Sequence, residues 1–340
     1  MKKVFSYLPI LLLLTACGKK NNEVTPKQAN IYVAGIENDT ATYWKNGIVT
    51  NLPNGGVSGR VTATSIFVSG SDIYVAGFEQ ANGGPSITAK YWKNGAVTNL
   101  VGINSSKYTY AQSIFVSGSD VYVAGYESNG IAGTEIAEYW KNGMPVSLKP
   151  NAGNDCEARS VFVSGSDVYI AGNENIGNAF PVAKYWKNGV GAHLTDGSNA
   201  AYATSIVVSG NDVYVAGYEM SGNNNIAKYW KNGVETSLTN GTYNAQANSI
   251  FVSGNDVYVG GTEDGGNGGN GIARYWKNGV AVSLTDGSED AGINSIFVSG
   301  SDVYAAGYNG DVATIWENGV ITNLSNGVNT YASANAVFVQ

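Results

Sequence analysis

The sequence predicts an all-β fold, a seven-bladed β-propeller with four-stranded antiparallel blades. Three observations carry this prediction: a repeated pentapeptide, four short strands in each repeat, and two chain ends that complement each other. The composition agrees, because 45 of 340 residues are glycine and 22 are tyrosine, while only 13% are charged. Such a composition is typical of a β protein rich in turns.

The motif Tyr-Trp-Lys-Asn-Gly recurs along the whole chain. Its copies begin at positions 43, 91, 139, 185, 229 and 275, and a degenerate copy, Ile-Trp-Glu-Asn-Gly, begins at 315. All seven tryptophans of the chain lie in these copies, 40 to 48 residues apart. That period is the one expected for one four-stranded blade per repeat.

Alternation of residue types and turn signals divides one repeat into four strands. In the repeat that ends at residue 100, they are predicted at 65–69, 72–77, 88–93 and 96–100. Gly70-Ser71 supplies a tight turn between the first two strands. Asn94-Gly95 supplies a two-residue hairpin turn, which requires positive φ at both positions.

The two ends of the repeat region complement each other. The first repeat begins at its second strand, 30–35, whereas the chain ends with an unpaired first strand, 336–339. We predict that the C-terminal strand completes the N-terminal blade, which closes the ring and removes an exposed sheet edge. The architecture resembles that of WD40 and kelch propellers, although their motifs are not present. A repeated Trp near Asn-Gly also resembles uncharacterised bacterial extracellular repeat families, which implies no catalytic residues.

The N-terminus predicts export and a lipid anchor. Two lysines precede an apolar stretch, 8–14, that is too short to span a bilayer as a helix. Leu14-Thr15-Ala16-Cys17 then resembles the lipobox of bacterial lipoproteins, which implies that Cys17 is diacylated. We therefore expect a signal peptide at 1–16, a lipidated Cys17 with a flexible tether at 17–29, and a propeller at 30–340. The expected location is the cell envelope, at the outer membrane, facing the periplasm or the surface.

Charge and residue usage exclude several function classes. The net charge is −7, and removal of Lys2 and Lys3 with the signal peptide would make it −9. Because there is no basic run, nucleic acid is not expected as a partner. Beyond Cys17 the chain has only Cys156, and His193 is its only histidine. We therefore expect no disulfide, no histidine-based metal site and no cofactor, and we expect a monomer.

A binding site is expected on one face of the propeller. The turns between first and second strands, and between third and fourth strands, are short and nearly identical, whereas the other connections are long and differ between repeats. Variable loops on a rigid scaffold are where function usually resides. Aromatic residues there suit sugar stacking and protein contacts equally well. The candidate binding-face residues are Arg60, Tyr108, Tyr110, Arg159, Phe180, Tyr202, Tyr243 and Tyr331.

Two further sets recur once per repeat. Polar residues just before the first strand are expected at the mouth of the central channel: Thr64, Gln112, Arg159, Thr204, Asn248, Asn294 and Asn335. A carboxylate recurs at the end of the second strand: Glu37, Glu79, Glu127, Glu174, Glu219 and Glu263. These carboxylates could form a cation or sugar site. We favour a structural role instead, with backbone amides or with lysines such as Lys90, Lys184 and Lys228 as partners.

Three functions remain compatible with the sequence. The first is a non-catalytic binding or scaffold lipoprotein that presents the variable face to a protein partner or surface complex. The alternative is a multivalent glycan-binding propeller with related sites between several blades. A glycosidase or lyase built on the carboxylates is less well supported, because no catalytic motif is found, and we predict no catalytic residues.

Overall fold

The computed structural model describes residues 29–54, 59–82, 84, 86–130, 135–148, 155–177, 180–266, 269–327 and 331–340. The expected signal peptide, Cys17 and the tether up to residue 28 lie outside the described residues. Within these ranges the chain forms strands and turns and no helix. The described chain therefore contains no helix long and apolar enough to cross a membrane.

Twenty-eight strands, β1 to β28 in chain order, lie in the described ranges. The first fourteen are Ile31–Glu37, Thr40–Lys45, Ile48–Asn51, Gly59–Ser69, Asp72–Ala81, Ile87–Lys93, Ala96–Asn99, Tyr108–Ser117, Asp120–Ser128, Ile136–Lys141, Met144–Ser147, Cys156–Ser164, Asp167–Asn175 and Pro181–Lys187. The second fourteen are Val190–His193, Ala201–Ser209, Asp212–Ser221, Asn224–Lys231, Val234–Ser237, Ala245–Ser253, Asp256–Asp264, Gly271–Lys277, Val280–Ser283, Ala291–Ser299, Asp302–Asn309, Val312–Glu317, Val320–Asn323 and Ala332–Val339.

The strands form four-stranded antiparallel groups that follow the repeats. β12–β15, β16–β19, β20–β23 and β24–β27 are separate sheets in chain order. β4–β7 and β8–β11 are two such groups, joined by a single parallel pair between Ile87 and Tyr108. The remaining sheet has the order β28-β1-β2-β3, so the C-terminal strand pairs with the N-terminal one. The predicted all-β class, the four-strand unit and the pairing of the chain ends are confirmed.

Local sequence explains most of one repeat. The predicted hairpin turn is present in β6–β7, where Asn94 and Gly95 have φ of 50° and 83°. The first strand of this repeat, β4, however, begins at Gly59 and not at residue 65. We call the first strand of each sheet its innermost strand, because it contacts the first strands of the neighbouring sheets. A β-bulge between Ala63 and Ser65 lets the pairing with β5 continue beyond the short apolar stretch. The predicted start of the first strand was therefore wrong, because a bulge breaks the alternation that marks a strand.

The glycine that ends the apolar stretch of each second strand is required by this bulge. A Cβ on Gly77 would collide with the carbonyl oxygen of Thr62 on β4. In each of the other sheets an equivalent glycine faces the equivalent carbonyl oxygen of the first strand: Gly35, Gly125, Gly172, Gly217, Gly261 and Gly307. The bulge and the glycine thus form one structural unit.

The seven tryptophans lie between sheets and are at most 1% exposed. Trp92 of β6 packs with Tyr32 and Ala34 of the preceding sheet, and its indole N–H donates to the carbonyl of Pro53 at 2.8 Å. Trp140 packs in the same way on the sheet before it and donates to Val101 at 2.8 Å. Each repeat therefore buries its largest side chain against the neighbouring sheet, and the stability of one sheet depends on its contact with the next.

Serine hydroxyls link the innermost strands of successive sheets. Ser65 Oγ accepts a hydrogen bond from the backbone N–H of Ile114 in the next sheet at 3.1 Å. Ser113, Ser160, Ser205, Ser249 and Ser295 make the same link to the sheet that follows each of them, at 3.1 to 3.2 Å. Ala336 of β28 stands at the equivalent position and carries no hydroxyl for Ile66 of β4.

Aromatic contacts follow the same innermost strands. Phenylalanine ring centroids lie 4.6 to 5.2 Å apart in the order Phe162, Phe115, Phe67, Phe338, Phe297, Phe251. Val207 occupies the equivalent position on β16, between the two ends of this row. Phe338 of the C-terminal strand therefore contacts both the first complete repeat and the last one.

Restoring the missing hydroxyl should stabilise the protein. In Ala336→Ser, the new Oγ can accept a hydrogen bond from Ile66, as Ser249 accepts one from Ile296 at 3.1 Å. We expect the free energy of unfolding to rise by about 1 kcal/mol, measured by urea denaturation. The matched control, Ser249→Ala, should lower it by about 1–2 kcal/mol. A neutral or destabilising Ala336→Ser, beside a destabilising Ser249→Ala, would contradict the equivalence of the two positions.

Candidate binding site

The two kinds of short turn meet at one end of each sheet. In β4–β7, Asn94 Oδ1 accepts from the Ile73 amide at 2.9 Å, and its Nδ2 donates to Asp72 Oδ1 at 2.8 Å. Lys93 Nζ lies 2.9 Å from Asp72. The same Asp–Asn–Lys network recurs in four further sheets. We call this end the turn face; because its groups are used by the turns themselves, a ligand site is better sought at the opposite end.

At the opposite end, one cross-strand pair in each sheet differs between repeats. The first member lies on the innermost strand, three residues before the serine that bonds to the next sheet (Ser65 in β4) or its equivalent. The second member lies opposite the first on the next strand. We call these seven the variable pairs: Thr62–Phe78, Tyr110–Tyr126, Glu157–Asn173, Tyr202–Tyr218, Gln246–Thr262, Gly292–Tyr308 and Ser333–Ile36. They are set in strands that are otherwise nearly identical, which makes them the candidate binding site.

Three rings form the aromatic part of this site. Tyr110 stacks on Tyr126 with centroids 4.7 Å apart, and Phe78 of the preceding group meets Tyr110 edge-on at 5.3 Å. All three are half-buried. Burial and the nearby Glu157 carboxylate raise the pKa of Tyr126, so its phenol remains a neutral hydroxyl. The rings thus offer an apolar surface edged by hydroxyl groups, the combination that aromatic recognition sites use.

An arginine is held between the aromatic pairs. Arg159 donates from Nη2 to Glu157 at 2.7 Å and from Nε to Asn173 at 3.2 Å. Its guanidinium lies 5.6 Å from the centre of the Tyr202 ring, which in turn lies 5.2 Å from Tyr218. The Arg159 side chain is 34% exposed. It is therefore oriented by its neighbours while part of its planar cation faces solvent, an arrangement suited to binding a ligand with little loss of entropy.

The last two complete sheets enclose a polar cleft of about 360 Å³. Its lining residues are Asn244, Gln246, Asn248, Thr262, Asp264, Gly271, Asp290, Asn294 and Tyr308. Burial and the Asp290 carboxylate raise the pKa of Tyr308, which keeps its hydroxyl protonated as a donor. Space for this ring exists because position 292 is glycine, where a Cβ would collide with Tyr308 and Thr262. Amide, carboxylate and hydroxyl groups therefore converge on one volume.

The residues expected on the binding face do not all lie in loops. Arg60, Tyr108, Tyr110, Arg159 and Tyr202 belong to innermost strands, because these strands continue past the bulge. Their assignment to loops was wrong. The other three, Phe180, Tyr243 and Tyr331, lie in connections and are 54%, 43% and 53% exposed. Arg60 lies 3.6 Å from Asp39, and both side chains are exposed.

Most of the residues expected at the channel mouth bond to the next sheet. Asn248 Nδ2 donates to the Ile293 carbonyl at 2.9 Å, and Asn335 Nδ2 donates to the Ala63 carbonyl at 2.8 Å. Equivalent bonds are made by Thr64, Thr204 and Asn294. Gln112 is half-buried on β8. The Asn248 and Asn294 amides line the cleft with their remaining hydrogen-bonding capacity.

The recurrent carboxylates pair with cations on the neighbouring strand in four sheets. The ion pairs are Glu79 with Lys90, Glu174 with Lys184, Glu219 with Lys228, and Glu263 with Arg274. Glu37 ends β1 beside Thr40. Glu127 instead accepts hydrogen bonds from the Asn104 and Ser106 amides, and Glu138 occupies the position of the lysine. Pairing with cations is typical of structural carboxylates.

Four aromatic residues of the site were not predicted. Phe78, Tyr126, Tyr218 and Tyr308 lie on second strands, immediately before the position of the recurrent glutamate. The signal was present, because this position varies inside a segment that is otherwise constant. It was missed because an aromatic residue inside a strand is usually interpreted as part of the core, whereas these four side chains are only half-buried.

Cys156 precedes Glu157 of the third variable pair, and its side chain is buried at the start of β12. Its Sγ accepts a hydrogen bond from the Ala137 amide at 3.3 Å. Burial raises the pKa of the Cys156 thiol to about 11. The thiol is therefore protonated near neutral pH and is a poor nucleophile.

No family model matches the chain, and no curated protein matches it. Among solved structures, it is similar to an acylaminoacyl peptidase from Pyrococcus horikoshii, with 11% identity, a TM-score of 0.48, and 88% of this chain and 51% of that one covered. A Trypanosoma rangeli sialidase in complex with sialic acid gives 10% identity, a TM-score of 0.48, and coverage of 85% and 55%. A putative TolB from Agrobacterium tumefaciens gives 10%, 0.44, and coverage of 92% and 96%. The chain spans about half the length of the first two.

Proposed function

We propose that the four-stranded groups are the seven blades of a closed β-propeller. Three contacts of the C-terminal strand support closure. Asn335 donates to the Ala63 carbonyl, Phe338 lies 5.0 Å from Phe67, and Gln340 exchanges two backbone hydrogen bonds with Asn30. The last contact stands where every other blade has its first short turn. Closure gives the scaffold rigidity, which the variable pairs need in order to present a fixed surface.

The protein is, on this proposal, a non-catalytic envelope lipoprotein that binds a protein partner through the variable pairs. One observation carries it: sequence variation concentrates at one end of strands that are otherwise constant. Tyrosine and arginine in a recessed, partly buried setting are the residue types that dominate protein interfaces. The ion pairs of the recurrent carboxylates favour binding over hydrolysis, since they give those carboxylates a structural use.

A glycan is the second candidate ligand, and the polar cleft favours it. Asn248, Asn294 and Tyr308 point hydrogen-bonding groups into a volume of about 360 Å³, which suits a sugar residue. The combination occurs once, between two neighbouring sheets of the described chain. A glycan would therefore bind with a stoichiometry of one per chain, in contrast to the several sites of a repeat-encoded lectin.

Crosslinking in cells tests the protein-binding role. A photoreactive residue at position 110 of the full chain should give a discrete adduct with another protein. The same residue at position 190, on the turn face, serves as the control and should not give that adduct. Adducts from position 190 alone, or from both positions equally, would contradict the proposal. A site-specific adduct that is lost when purified envelope glycan is added would favour the second candidate.

Side-chain truncation measures how much the aromatic part contributes. The double variant Tyr110→Ala/Tyr202→Ala should weaken binding of the captured partner roughly 100-fold, because two anchors of this kind each contribute about 1–2 kcal/mol. Binding can be followed by surface plasmon resonance. The matched control is Tyr243→Ala, which removes an exposed ring outside the variable pairs and should leave affinity within about threefold. Unchanged affinity in the double variant, or a loss confined to Tyr243→Ala, would place the interface elsewhere.

A further inference from the structure

The outer strand of six sheets begins with an exposed aliphatic residue. Ile48, Met144, Val190, Val234, Val280 and Val320 are 69 to 75% exposed. Each directly follows an Asn-Gly turn and pairs across the hairpin with the residue directly before that turn. Ala96 holds the seventh position. Because all seven turns lie on the turn face, these side chains form an apolar rim around that face.

The turn face carries little net charge. Its six lysines, Lys45, Lys93, Lys141, Lys187, Lys231 and Lys277, stand among seven carboxylates: Asp72, Asp120, Asp167, Asp212, Asp256, Asp302 and Glu317. Five of the lysines lie 2.8 to 2.9 Å from an aspartate. The whole chain has a net charge of −7, so nearly all of the acidic excess lies elsewhere. A surface bearing phosphate groups would therefore repel this face only weakly.

The described chain starts on the same face. Asn46 of the first Asn-Gly turn donates to Asn30 Oδ1 at 3.0 Å and accepts from the Ile31 amide at 2.8 Å. Ala29 lines a small apolar cavity with Ile31 and Ile315. The chain thus leaves the blades beside the rim, twelve residues after the Cys17 expected to be lipidated. Such a segment spans at most about 40 Å, of which roughly 30 Å would be needed to pass along a ten-residue strand.

We infer that the turn face rests on the lipid bilayer that holds the acyl chains of Cys17. The rim side chains enter the headgroup region, and the lysine ammonium groups stay paired with the turn aspartates on the same face. The variable pairs, at the other ends of the strands, then point away from the membrane and towards a partner. This inference rests on the proposed lipid anchor.

Depth-dependent quenching tests the inference on the full-length lipidated chain. A fluorophore is attached through Val190→Cys or, at the other end of the same sheet, through Phe180→Cys; the native Cys156 is buried and Cys17 is acylated. The labelled proteins are reconstituted into phosphatidylethanolamine–phosphatidylglycerol vesicles with brominated acyl chains. We expect at least threefold stronger quenching at position 190 than at position 180. Equal quenching, or stronger quenching at position 180, would overturn the inference.

A charge variant and a flotation assay separate this inference from the anchor. In a chain labelled through Val320→Cys, the triple change Val190→Asp/Val234→Asp/Val280→Asp should remove most of the quenching, while the vesicles still carry the protein on flotation. Unchanged quenching would overturn the role of the rim. If the full-length chain fails to float with the vesicles, the proposed lipid anchor is wrong, and this inference falls with it. If the chain floats but quenching is equal at positions 190 and 180, only the inference is wrong.

Discussion

A chain that ends at residue 331 is expected to lose its cooperative fold. The truncation removes β28, in which Val337 and Val339 are 6% and 5% exposed and Phe338 joins two phenylalanine contacts. Their burial contributes about 5 kcal/mol or more, against a total stability of about 5–15 kcal/mol for a domain. The loss also leaves the backbone of β1 unpaired along one edge. Circular dichroism during heating should show no sharp transition.

A circular permutant provides the matched control. Joining Gln340 to Asn30 through Gly-Ser places a two-residue turn where the other sheets have Gly-Ser or Gly-Asn. The chain is reopened between Gly254 and Asn255 in one of those turns. Because this protein keeps every strand and contact, it should melt cooperatively near the temperature of the parent. A truncated chain that melts like the parent would contradict closure through β28. So would a permutant that fails to fold while a synthetic 332–340 peptide does not rescue the truncated chain.

The elements that could be predicted are those whose conformation is determined by a few consecutive residues. Asn94-Gly95 specifies its hairpin because both residues adopt positive φ, whatever the rest of the chain does. The bulge at Ala63–Ser65 could not be placed in advance, since it depends on the pairing of β4 with β5. That single feature extends the innermost strands and moves residues such as Tyr110 out of the expected loops. The number of blades and the closure of the ring stay predictions of the repeat pattern.

The candidate site likewise contains residues that could be predicted from local sequence and residues that depend on strand pairing. Arg159 and Tyr202 were expected at the binding face because they were assigned to variable loops. The structure places the Arg159 guanidinium 5.6 Å from the centre of the Tyr202 ring. Tyr126 and Tyr308 were not expected, because their partners across the sheet are defined by register and not by neighbours in the chain. The change from lysine to Glu138 was visible in the third repeat, but its consequence depends on burial, which the sequence does not state.

Glu138→Gln is expected to stabilise the protein at neutral and alkaline pH. The Glu138 side chain is buried, one carboxylate oxygen accepts from the Ile103 amide at 3.0 Å, and the other has no hydrogen-bond partner among the described residues. Burial raises the pKa of Glu138 to about 8, which the nearby Glu127 carboxylate also favours and the Ile103 hydrogen bond opposes. Glutamine keeps the shape and the acceptor but never becomes charged.

The sign of the pH dependence follows from the two protonation states. Between the ordinary glutamate pKa of 4.5 and the folded value of about 8, the folded chain keeps the Glu138 proton whereas the unfolded chain has lost it. Stability of the parent therefore falls as pH rises through this window, by up to about 1.4 kcal/mol per pH unit from this group. The variant lacks this contribution. We expect equal stabilities near pH 4 and a gain of roughly 4–5 kcal/mol at pH 8 and above, measured by urea denaturation across the range.

Glu127→Gln serves as the matched control, because the same chemical change one strand away should have the opposite sign. The Glu127 carboxylate accepts from the Asn104 amide, the Asn104 side chain and the Ser106 amide at 2.7 to 3.3 Å. A glutamine offers one oxygen and turns an NH2 group towards those donors, which should cost about 1–3 kcal/mol at pH 7. If both variants stabilise the protein, the two carboxylates act only as a repulsive pair. If both destabilise it, Glu138 is a charged hydrogen-bond acceptor at neutral pH, and the assignment of a protonated Glu138 is wrong.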